Sequence, residues 1–282
     1  MFTLNCKGKM RVFEGPQVMG ILNLTPDSFY EGYLNESIES LLLRVEQQVA
    51  EGAAIIDIGG QSTRPGSERL DPATELSRVL PVLAAVRQAF PDILLSIDTY
   101  QAFVAAQAVE AGADLVNDIS FGEMDDQMIP TVAQLKVPYI GMHMKGQPEN
   151  MQAQAHYESV TLEVLDYLIR RTRYCQQAGI TDIIVDPGFG FGKTIEHNFT
   201  LLKNLDAFQV IAQPVLVGLS RKSTVYRTLG ITAAEALNGT TVLHTLALEK
   251  GAQLLRVHDV KEAVQAIRLL DAYKKMAPEG AI

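Results

Sequence analysis

Eight short apolar runs recur along the chain at a spacing of roughly 30 residues, and nearly all of them end at a polar residue capable of chemistry. Continuous apolar runs are typical of strands that are buried on both faces of a parallel sheet. The runs cover residues 18–23, 54–57, 93–98, 115–118, 139–143, 183–186, 215–220 and 254–258. A helical pattern follows each run. Eight strand–helix units predict a (β/α)8 barrel of the TIM type.

The polar residues at the ends of these runs are expected to meet, because the C-terminal ends of barrel strands converge on one mouth. The residues concerned are Asn23, Asp57, Asp98, Asn117, His143, Asp186, Ser220 and His258. They are scattered over the whole sequence, yet the fold would turn them toward one pocket. This convergence makes the chain an enzyme candidate before any motif is considered.

The organisation between the runs is regular. Apolar periodicity predicts helices over residues 37–50, 75–89, 101–111, 125–135, 157–178, 195–208, 232–250 and 260–273. Residues 1–16 are expected to form a short lead-in, as a hairpin that closes the bottom of the barrel. Two loops at the mouth, residues 24–32 and 59–68, are longer than closure requires and are expected to act as lids or clamps. No linker or low-complexity stretch interrupts the chain, so we expect one domain over residues 1–282.

Composition limits the partners. The chain has 24 Lys and Arg against 33 Asp and Glu, a formal charge of −9, which argues against general binding to nucleic acid or to an anionic membrane. The N-terminus lacks the pattern of a signal peptide, and no apolar run reaches the length of about 18 residues that a membrane span needs. The two cysteines, Cys6 and Cys175, form neither a disulfide framework nor a zinc motif. A soluble cytoplasmic protein is expected.

The segment Asp186–Thr194 resembles a nucleotide-binding loop only superficially. A phosphate-binding P-loop needs glycine five residues before the Gly-Lys-Thr triplet, and Pro187 occupies that position. We interpret the segment as a tight glycine-rich turn that brings Asp186 and Phe191 to the pocket, since glycine lets the backbone approach a flat ligand closely.

Three strand ends suggest recognition of a heterocycle. Asp98, Asn117 and Asp186 offer two carboxylates and one amide, which suit an amino-pyrimidinone edge with its ring N–H and exocyclic amine. Each of them could instead satisfy local backbone donors at its strand end. His143 also ends a run and could line the pocket, whereas His156, His197 and His244 are more typical of surface or core packing.

Cations and hydroxyls gather on the same rim. They come from three segments, Ser62-Thr63-Arg64, Ser220-Arg221-Lys222-Ser223 and Arg256-Val257-His258. Arg256 and His258 point the same way on a strand because the side-chain period is two, and arginine forks match phosphate oxygens. The amide oxygen of Asn23 could bind a hard cation. Together these residues predict an anion site for a diphosphate with Mg²⁺, although Arg221 is compatible with a plain surface charge.

Longer motifs carry a resemblance to a known family. They are 19–29, 57–66, 117–120, 142–146, 186–193, 220–223 and 256–259, and they look like those of dihydropteroate synthase of the folate pathway. The similarity spans about residues 17–275, and the motifs are ordered and spaced as in that family.

The resemblance implies a reaction, in which 4-aminobenzoate displaces diphosphate from 6-hydroxymethyl-7,8-dihydropterin diphosphate and yields 7,8-dihydropteroate. It assigns pterin binding to Asp98, Asn117, Met142, Asp186, Phe191 and Lys222. It assigns diphosphate binding to Asn23, Thr63, Arg64, Arg256 and His258, with Asn23 as the ligand of Mg²⁺. It assigns 4-aminobenzoate binding, and competition by sulfonamides, to Phe29, Thr63, Pro65, Phe191, Lys222 and Ser223. Asp98, Lys222, Arg256 and His258 are the residues expected to carry catalysis.

The resemblance also implies a homodimer, formed through the last helices. Two alternatives use the same barrel differently, namely a pterin-dependent methyltransferase that serves a corrinoid and a non-catalytic pterin binder. The methyltransferase would not need the Asn23 loop, Lys222 or the diphosphate site at Arg256 and His258. The degenerate binder should have lost charged site residues, and all of them are present.

Overall fold

The computed structural model describes residues 1–25, 37–63, 66–67 and 69–276. A hairpin of β1 (Phe2–Cys6) and β2 (Lys9–Phe13) comes first. The strands that follow are β3 (Gln17–Asn23), β4 (Ile55–Gly59), β5 (Leu94–Asp98), β6 (Leu115–Asp118), β7 (Tyr139–Met142), β8 (Ile183–Asp186), β9 (Leu216–Val217) and β10 (Leu254–Val257). The helices are α1 (Ile38–Glu51), α2 (Pro72–Ala89), α3 (Ala102–Glu110), α4 (Met128–Leu135), α5 (Val160–Gln177), α6 (Ile195–Lys203), α7 (Ser223–Leu229), α8 (Leu237–Glu249) and α9 (Val260–Lys274).

Strands β3 to β10 form one parallel sheet that closes on itself. Their spatial order is β8–β7–β6–β5–β4–β3–β10–β9. A parallel bridge between Val185 and Val215, the residue before β9, joins the two edges. The seam is thin there, because β9 pairs with β10 through Leu216 and Val217 alone. The predicted (β/α)8 barrel is confirmed.

The barrel interior is built in layers, because side chains of a strand alternate between the inside and the outside. The lowest layer is apolar and buried, and it contains Met19, Ile55, Leu94, Leu115, Ile140, Ile184, Leu216 and Leu254. Two residues further along each strand stand Ile21, Asp57, Ser96, Asn117, Met142, Asp186, Gly218 and Arg256. The interior therefore changes from apolar at the N-terminal end to mostly polar at the C-terminal end.

The N-terminal hairpin closes the apolar end. Phe2, Leu4 and Cys6 are buried and pack in the same cluster as the lowest layer of the barrel. The ring of Phe2 stacks on that of Phe13 at 4.8 Å, and the amide of Asn5 donates to the Asp182 carboxylate at 3.0 Å. The predicted role of the lead-in is confirmed.

Helix α1 shows how the outer ring is specified locally. Ser37 caps its N-terminus by accepting from the amide of Ser40, and Gly52 ends it in the left-handed conformation, at φ 105°. Leu41 and Val45, four residues apart, face the barrel and are buried. None of the helices in the described ranges is long and apolar enough to cross a membrane.

The helix predictions differ from the structure in three places, one of them the helix predicted over 232–250, because α8 begins only at Leu237. The helix predicted over 195–208 ends at Lys203, and a 3₁₀ helix, Leu205–Ile211, follows after Asn204. The side chain of Asn204 turns back to the carbonyl of Thr200 at 2.9 Å, which competes with helix continuation. Helix α7 was not predicted, because seven residues with only Thr224 and Val225 buried show no clear helical period.

Candidate active site

The polar end of the barrel brings together side chains from widely separated strands. The strand register places Asn23 beside Gly59, Gly59 beside Asp98, and Asp98 beside Asn117. Because Gly59 has no side chain, the space between Asn23 and Asp98 stays open. Asp98, Asn117 and Asp186 are all less than a tenth exposed. The structure thus brings Asn23, Asp98 and Asn117 together at the mouth, as predicted.

Arg256 joins two carboxylates at the centre of this mouth. Its Nε donates to Asp57 Oδ2 at 2.6 Å, and its Nη2 donates to Asp98 Oδ2 at 2.6 Å. Burial raises the pKa of Asp98 to about 7, although Arg256 opposes the shift. Burial would lower the pKa of Arg256, but Asp57 and Asp98 raise it above its ordinary value. The guanidinium therefore stays charged, whereas the carboxyl group of Asp98 gains or loses its proton near pH 7.

Asp57 forms the floor of the pocket. It is fully buried, and its Oδ2 also accepts from Asn117 Nδ2 at 3.0 Å. Its other oxygen, Oδ1, and the hydroxyl of the neighbouring Ser96 are buried with no hydrogen-bond partner among the described residues. Buried polar groups usually have partners. Asp57 thus orients both Arg256 and Asn117, and the floor retains unused hydrogen-bonding capacity.

Asp186 lies across the pocket at the start of the glycine-rich turn. Its Oδ1 accepts from the amide of Gly188 at 2.7 Å, and burial raises the pKa of its carboxyl group. The side chains of Met142 and Phe191 belong to an apolar wall beside it. The other members of that wall are Tyr100, Ile119, Met124, Met144 and Met151. A flat ligand would meet an apolar face on one side and carboxylates at its edge.

Lys222 lies just before α7, and its side chain extends toward the same space. Its Nζ donates to the carbonyl of Phe189 at 2.5 Å and lies 4.7 Å from the centre of the Phe191 ring. Burial lowers the pKa of Lys222 to about 8, and Asp186 partly offsets that shift. The next residue, Ser223, begins α7 and is half-buried.

Ser220 and His258 lie in the turns that follow β9 and β10, and they contact each other. The Ser220 hydroxyl lies 3.0 Å from His258 Nδ1 and accepts from the His258 amide at 3.1 Å. The imidazole faces the open mouth, yet desolvation and the charge of Arg256 lower its pKa to about 4. His258 is therefore a neutral hydrogen-bonding group near pH 7.

Arg221 does not belong to the anion site, contrary to the expectation that grouped it with Lys222. Its Nε and Nη2 both bond the carboxylate of Asp259 at 2.9 Å. Its Nη1 donates to the carbonyls of Ala233 and Ala234. The residue is buried and has a φ of 51°. These contacts occupy the guanidinium away from Lys222, and the ion pair joins the turns that follow β9 and β10.

His143 also lies outside the pocket, so the prediction that it lines the mouth is wrong. Ile140 and Met142 point inward, and the alternation along the strand sends the next side chain outward. The His143 ring packs edge-on against Tyr167 at 4.9 Å and contacts Lys193 through Nδ1 at 2.9 Å. Burial and Lys193 lower the pKa of His143 to about 2.

Comparison with known proteins identifies the family. Residues 19–258 match the family model of the pterin binding enzymes. The chain is 44% identical over 259 residues to the dihydropteroate synthase of Haemophilus influenzae, which covers 91% of this chain and 94% of that protein. The chain belongs to the dihydropteroate synthase family.

Solved structures of the family have the same fold. The Yersinia pestis dihydropteroate synthase in a sulfonamide drug complex superposes with a TM-score of 0.91 at 38% identity, over 97% of this chain and 99% of that one. The Xanthomonas albilineans enzyme in complex with 7,8-dihydropteroate gives a TM-score of 0.86 at 35% identity, over 98% and 100%. Membership of the dihydropteroate synthase family makes the chain a transferase.

The second mouth loop is described in part. Gln61 spans its base by accepting from the amide of Leu70 at 2.7 Å and donating to the carbonyl of Ser62 at 2.8 Å. The amide of Gly66 donates to Pro148 across the mouth at 3.2 Å. Thr63 is half-buried in this loop. The other residues that the family resemblance assigns to these loops, namely Phe29, Arg64 and Pro65, lie outside the described residues.

Several side chains that shape this dihydropteroate synthase site had no assigned role in the sequence. Asp57 was noticed only as a strand end, although its position two residues before Gly59 indicates that it points inward. Asp259 and Lys193 follow His258 and Gly192 directly. Their contacts depend on the path of the turns, and no pattern in the sequence specifies that path.

Proposed function

We propose that the chain condenses 6-hydroxymethyl-7,8-dihydropterin diphosphate with 4-aminobenzoate and releases 7,8-dihydropteroate and diphosphate. The observation that carries this proposal is the joint presence of heterocycle-binding and anion-binding groups at one mouth. Asp98, Asn117 and Asp186 stand on one side, and Lys222 and Arg256 stand beside them. Family membership supports the same reaction.

The pterin is proposed to lie against the apolar wall at Met142 and Phe191, with its polar edge toward Asp98, Asn117 and Asp186. Carboxylates accept from ring N–H and amine groups, and an amide both donates and accepts. The unpartnered oxygens of Asp57 and Ser96 at the floor would gain hydrogen bonds from a polar ligand edge or from an ordered water.

The diphosphate is proposed to lie against Arg256, His258 and Lys222, with Thr63 and Arg64 of the second loop completing the site. Arginine and lysine neutralise the negative charge that grows on a departing diphosphate. Neutral His258, held by Ser220, offers one N–H donor. Arg256 also contacts Asp98, so the same guanidinium links the pterin site to the diphosphate site.

The residues at the mouth fit a bound Mg²⁺. The side-chain oxygen of Asn23 and Oδ2 of Asp98 both approach the open position above Gly59, to 3.5 and 3.6 Å from where a Cβ would lie. Oxygen ligands are those that Mg²⁺ prefers. We propose that Asn23 holds the ion together with diphosphate oxygens. When bound, Mg²⁺ would supply additional positive charge to the leaving group.

The chemical step breaks the bond between the pterin methylene carbon and the diphosphate oxygen, and the leaving diphosphate takes the electron pair. Positive charge then grows on the conjugated pterin methylene, beside the carboxylates of Asp98 and Asp186. The amine of 4-aminobenzoate forms the new C–N bond and loses a proton, so no covalent intermediate with the enzyme is required. Exclusion of water from the site would protect the reactive carbon from hydrolysis.

4-Aminobenzoate is proposed to bind beside Phe191, Lys222 and Ser223, under the loop that carries Thr63. Phe29 and Pro65 complete this proposed site. The ring of Phe191 offers an apolar face, and the Lys222 ammonium lies 4.7 Å from its centre. A substrate ring that packs on Phe191 would therefore lie close to the Lys222 ammonium, which would attract the substrate carboxylate. The Yersinia pestis relative is solved with a sulfonamide drug, which supports the proposal that sulfonamides also bind this chain.

The decisive experiment measures diphosphate release by the purified protein with pterin diphosphate and Mg²⁺, with and without 4-aminobenzoate. Release that depends on 4-aminobenzoate and yields dihydropteroate would support the proposal. Tight pterin binding without any release would contradict it, and would favour a methyltransferase or a non-catalytic binder.

We also propose that the protein is cytoplasmic and that it forms a homodimer through its last helices. Val242 and Leu246 on α8, and Leu269 and Tyr273 on α9, are large apolar side chains that are about half or more exposed. Exposed apolar surface on neighbouring helices is typical of protein interfaces. Light scattering on the purified protein should give twice the mass of the 30.9 kDa chain; the monomer mass would contradict the proposal.

A further inference from the structure

The glycine-rich turn after β8 is fixed by side chains rather than by a regular backbone ladder. Five consecutive carbonyls, from residue 188 to residue 192, each accept a hydrogen bond from a side chain. The donors in order are Lys193, Lys222, Gln152, Lys193 again and Tyr157. A turn held in this way keeps its shape only while its donors stay in place.

Lys193 is the central donor. Its Nζ lies 2.9 Å from the carbonyl of Gly188, 3.1 Å from that of Phe191 and 3.3 Å from that of His143. The side chain is buried. Within the described part of the chain, no carboxylate lies within 4 Å of this ammonium. A buried cation without an ion pair is costly, so carbonyl dipoles and one imidazole must compensate it.

The imidazole is that of His143, whose Nδ1 lies 2.9 Å from Lys193 Nζ. An ammonium has only donors, so Nδ1 must be the unprotonated acceptor and the proton of the neutral ring must be on Nε2. Burial and Lys193 lower the pKa of His143 to about 2, so the ring is neutral near pH 7. His143 therefore fixes Lys193 from the end of β7, and Lys193 fixes the turn after β8.

The turn lies directly on the backbone that follows β7. A Cβ on Gly188 would stand 1.9 Å from the carbonyl oxygen of His143, and one on Gly192 would stand 2.5 Å from that of Lys145. Both glycines have positive φ, 71° and 62°. The turn therefore packs closely on this backbone, and the Lys193 ammonium bonds both sides of the contact through the carbonyls of His143 and Gly188.

We propose that Lys193, held by His143, is a positioning residue that sets Phe191 and Lys222 for the reaction. The turn carries the Phe191 ring, and the carbonyl of Phe189 holds the Lys222 ammonium. Asp98 and Asn117 stand on strands that the sheet ladder holds independently. The inference rests on the proposed function, because the effect on 4-aminobenzoate is read out in that reaction.

The test compares Lys193→Met with the wild-type enzyme in steady-state kinetics and in calorimetric titrations with pterin. We expect the KM for 4-aminobenzoate to rise about tenfold or more and kcat to fall. The reason is that a looser turn displaces Phe191 and Lys222, and a displacement of about 1 Å is enough to cost about 100-fold in rate. The Kd for pterin should also rise, but by no more than about threefold, because Phe191 borders the pterin whereas Asp98 and Asn117 keep their places on the sheet. A residue needed only for stability would leave KM and kcat per folded molecule unchanged, and that result would overturn the proposal, as would an equal loss for both ligands.

Lys145→Met is the matched control. Lys145 lies beside the same turn and pairs with Glu163 at 3.4 Å, but donates to none of the carbonyls of the turn. The KM of the Lys145→Met variant for 4-aminobenzoate should stay within about twofold of wild type. A tenfold rise would overturn the positioning role assigned to Lys193.

If Lys193→Met does not fold, His143 supplies the test. His143→Asn keeps an oxygen acceptor close to the position of Nδ1 and should retain most activity, whereas His143→Leu removes it and should raise the KM. Equal kinetics in the two variants would overturn the proposal. A wild-type protein that makes no dihydropteroate would instead contradict the proposed function. In that case pterin binding decides the inference: His143→Leu should bind pterin more weakly than His143→Asn, because Phe191 lies on the turn, and equal Kd values would overturn it.

Discussion

Asp57→Asn tests whether the buried floor of the pocket orients the catalytic cation. The substitution keeps the shape of the side chain and removes its charge. Oδ2 of Asp57 accepts from Arg256 Nε at 2.6 Å and from Asn117 Nδ2 at 3.0 Å. Hydrogen bonds to charged groups contribute about 1.5–3 kcal/mol each, and removing one partner of a buried ion pair costs about 3–5 kcal/mol.

The expected loss for Asp57→Asn lies below that upper range, because Arg256 keeps Asp98 as a second partner and its side chain is 21% exposed. We expect the free energy of unfolding to fall by about 2–3 kcal/mol, which lowers the melting temperature by about 5–10 °C in a chain of this length. If the same energy is lost in the transition state, kcat/KM falls about 30- to 150-fold. Asp57 also raises the pKa of Asp98, so the acid limb of the pH–rate profile should move to lower pH.

The assay measures thermal unfolding and kcat/KM for pterin diphosphate in the same preparations. Asp118→Asn is the control, since Asp118 is a fully buried carboxylate on the outer face of β6 and bonds Tyr139 at 2.7 Å. It should lose stability but keep kcat/KM per folded molecule. If Asp57→Asn retains wild-type kcat/KM, or loses no more than the control, the role assigned to Asp57 is wrong.

Four further outcomes are expected. Arg256→Ala should lower turnover about 100-fold or more, on the scale of lost electrostatic stabilisation, and near-normal kinetics would refute its place in the diphosphate site. Asp98→Asn should weaken pterin binding in calorimetry, and an unchanged Kd would remove Asp98 from the pterin site. The profile of kcat/KM should rise through a pKa of about 7, as Asp98 ionises, and fall through about 8, as Lys222 loses its proton; a profile flat from pH 6 to 9 would contradict both roles. Arg221→Met should lower the free energy of unfolding by about 3–5 kcal/mol, because it removes the ion-pair partner of Asp259. Urea unfolding measures this loss, and a clearly smaller value would contradict the structural role of the pair.

The fold could be predicted from the sequence because buried parallel strands have a simple pattern. The predicted limits of β6 and β8, 115–118 and 183–186, agree with the structure. Helix α7 escaped prediction because its apolar face is too short to show a period. The apolar runs thus determine the barrel, and the short connecting elements depend on tertiary contacts.

The site was predictable where strand alternation decides it. Asp98, Asn117, Asp186 and Arg256 follow their strands inward, as expected. His143 was misplaced although alternation alone, counted from Ile140, sends it outward. Arg221 was misplaced for another reason, since its left-handed backbone at φ 51° and its pair with Asp259 depend on tertiary contacts that the local sequence does not specify.

The short pairing of β9 gives the barrel an uneven mechanical strength. Two residues pair β9 with β10, and a single bridge joins the other edge, whereas five residue pairs join β4 to β5. Local opening should therefore begin at this seam, and the ion pair of Arg221 and Asp259 closes it. The amides around residues 215–220 would then exchange with solvent faster than those of β5. Lys222 follows β9 and Arg256 lies on β10, so opening at this seam would change the distance between these two cations while the strands that carry Asp98, Asn117 and Asp186 keep their pairing with each other.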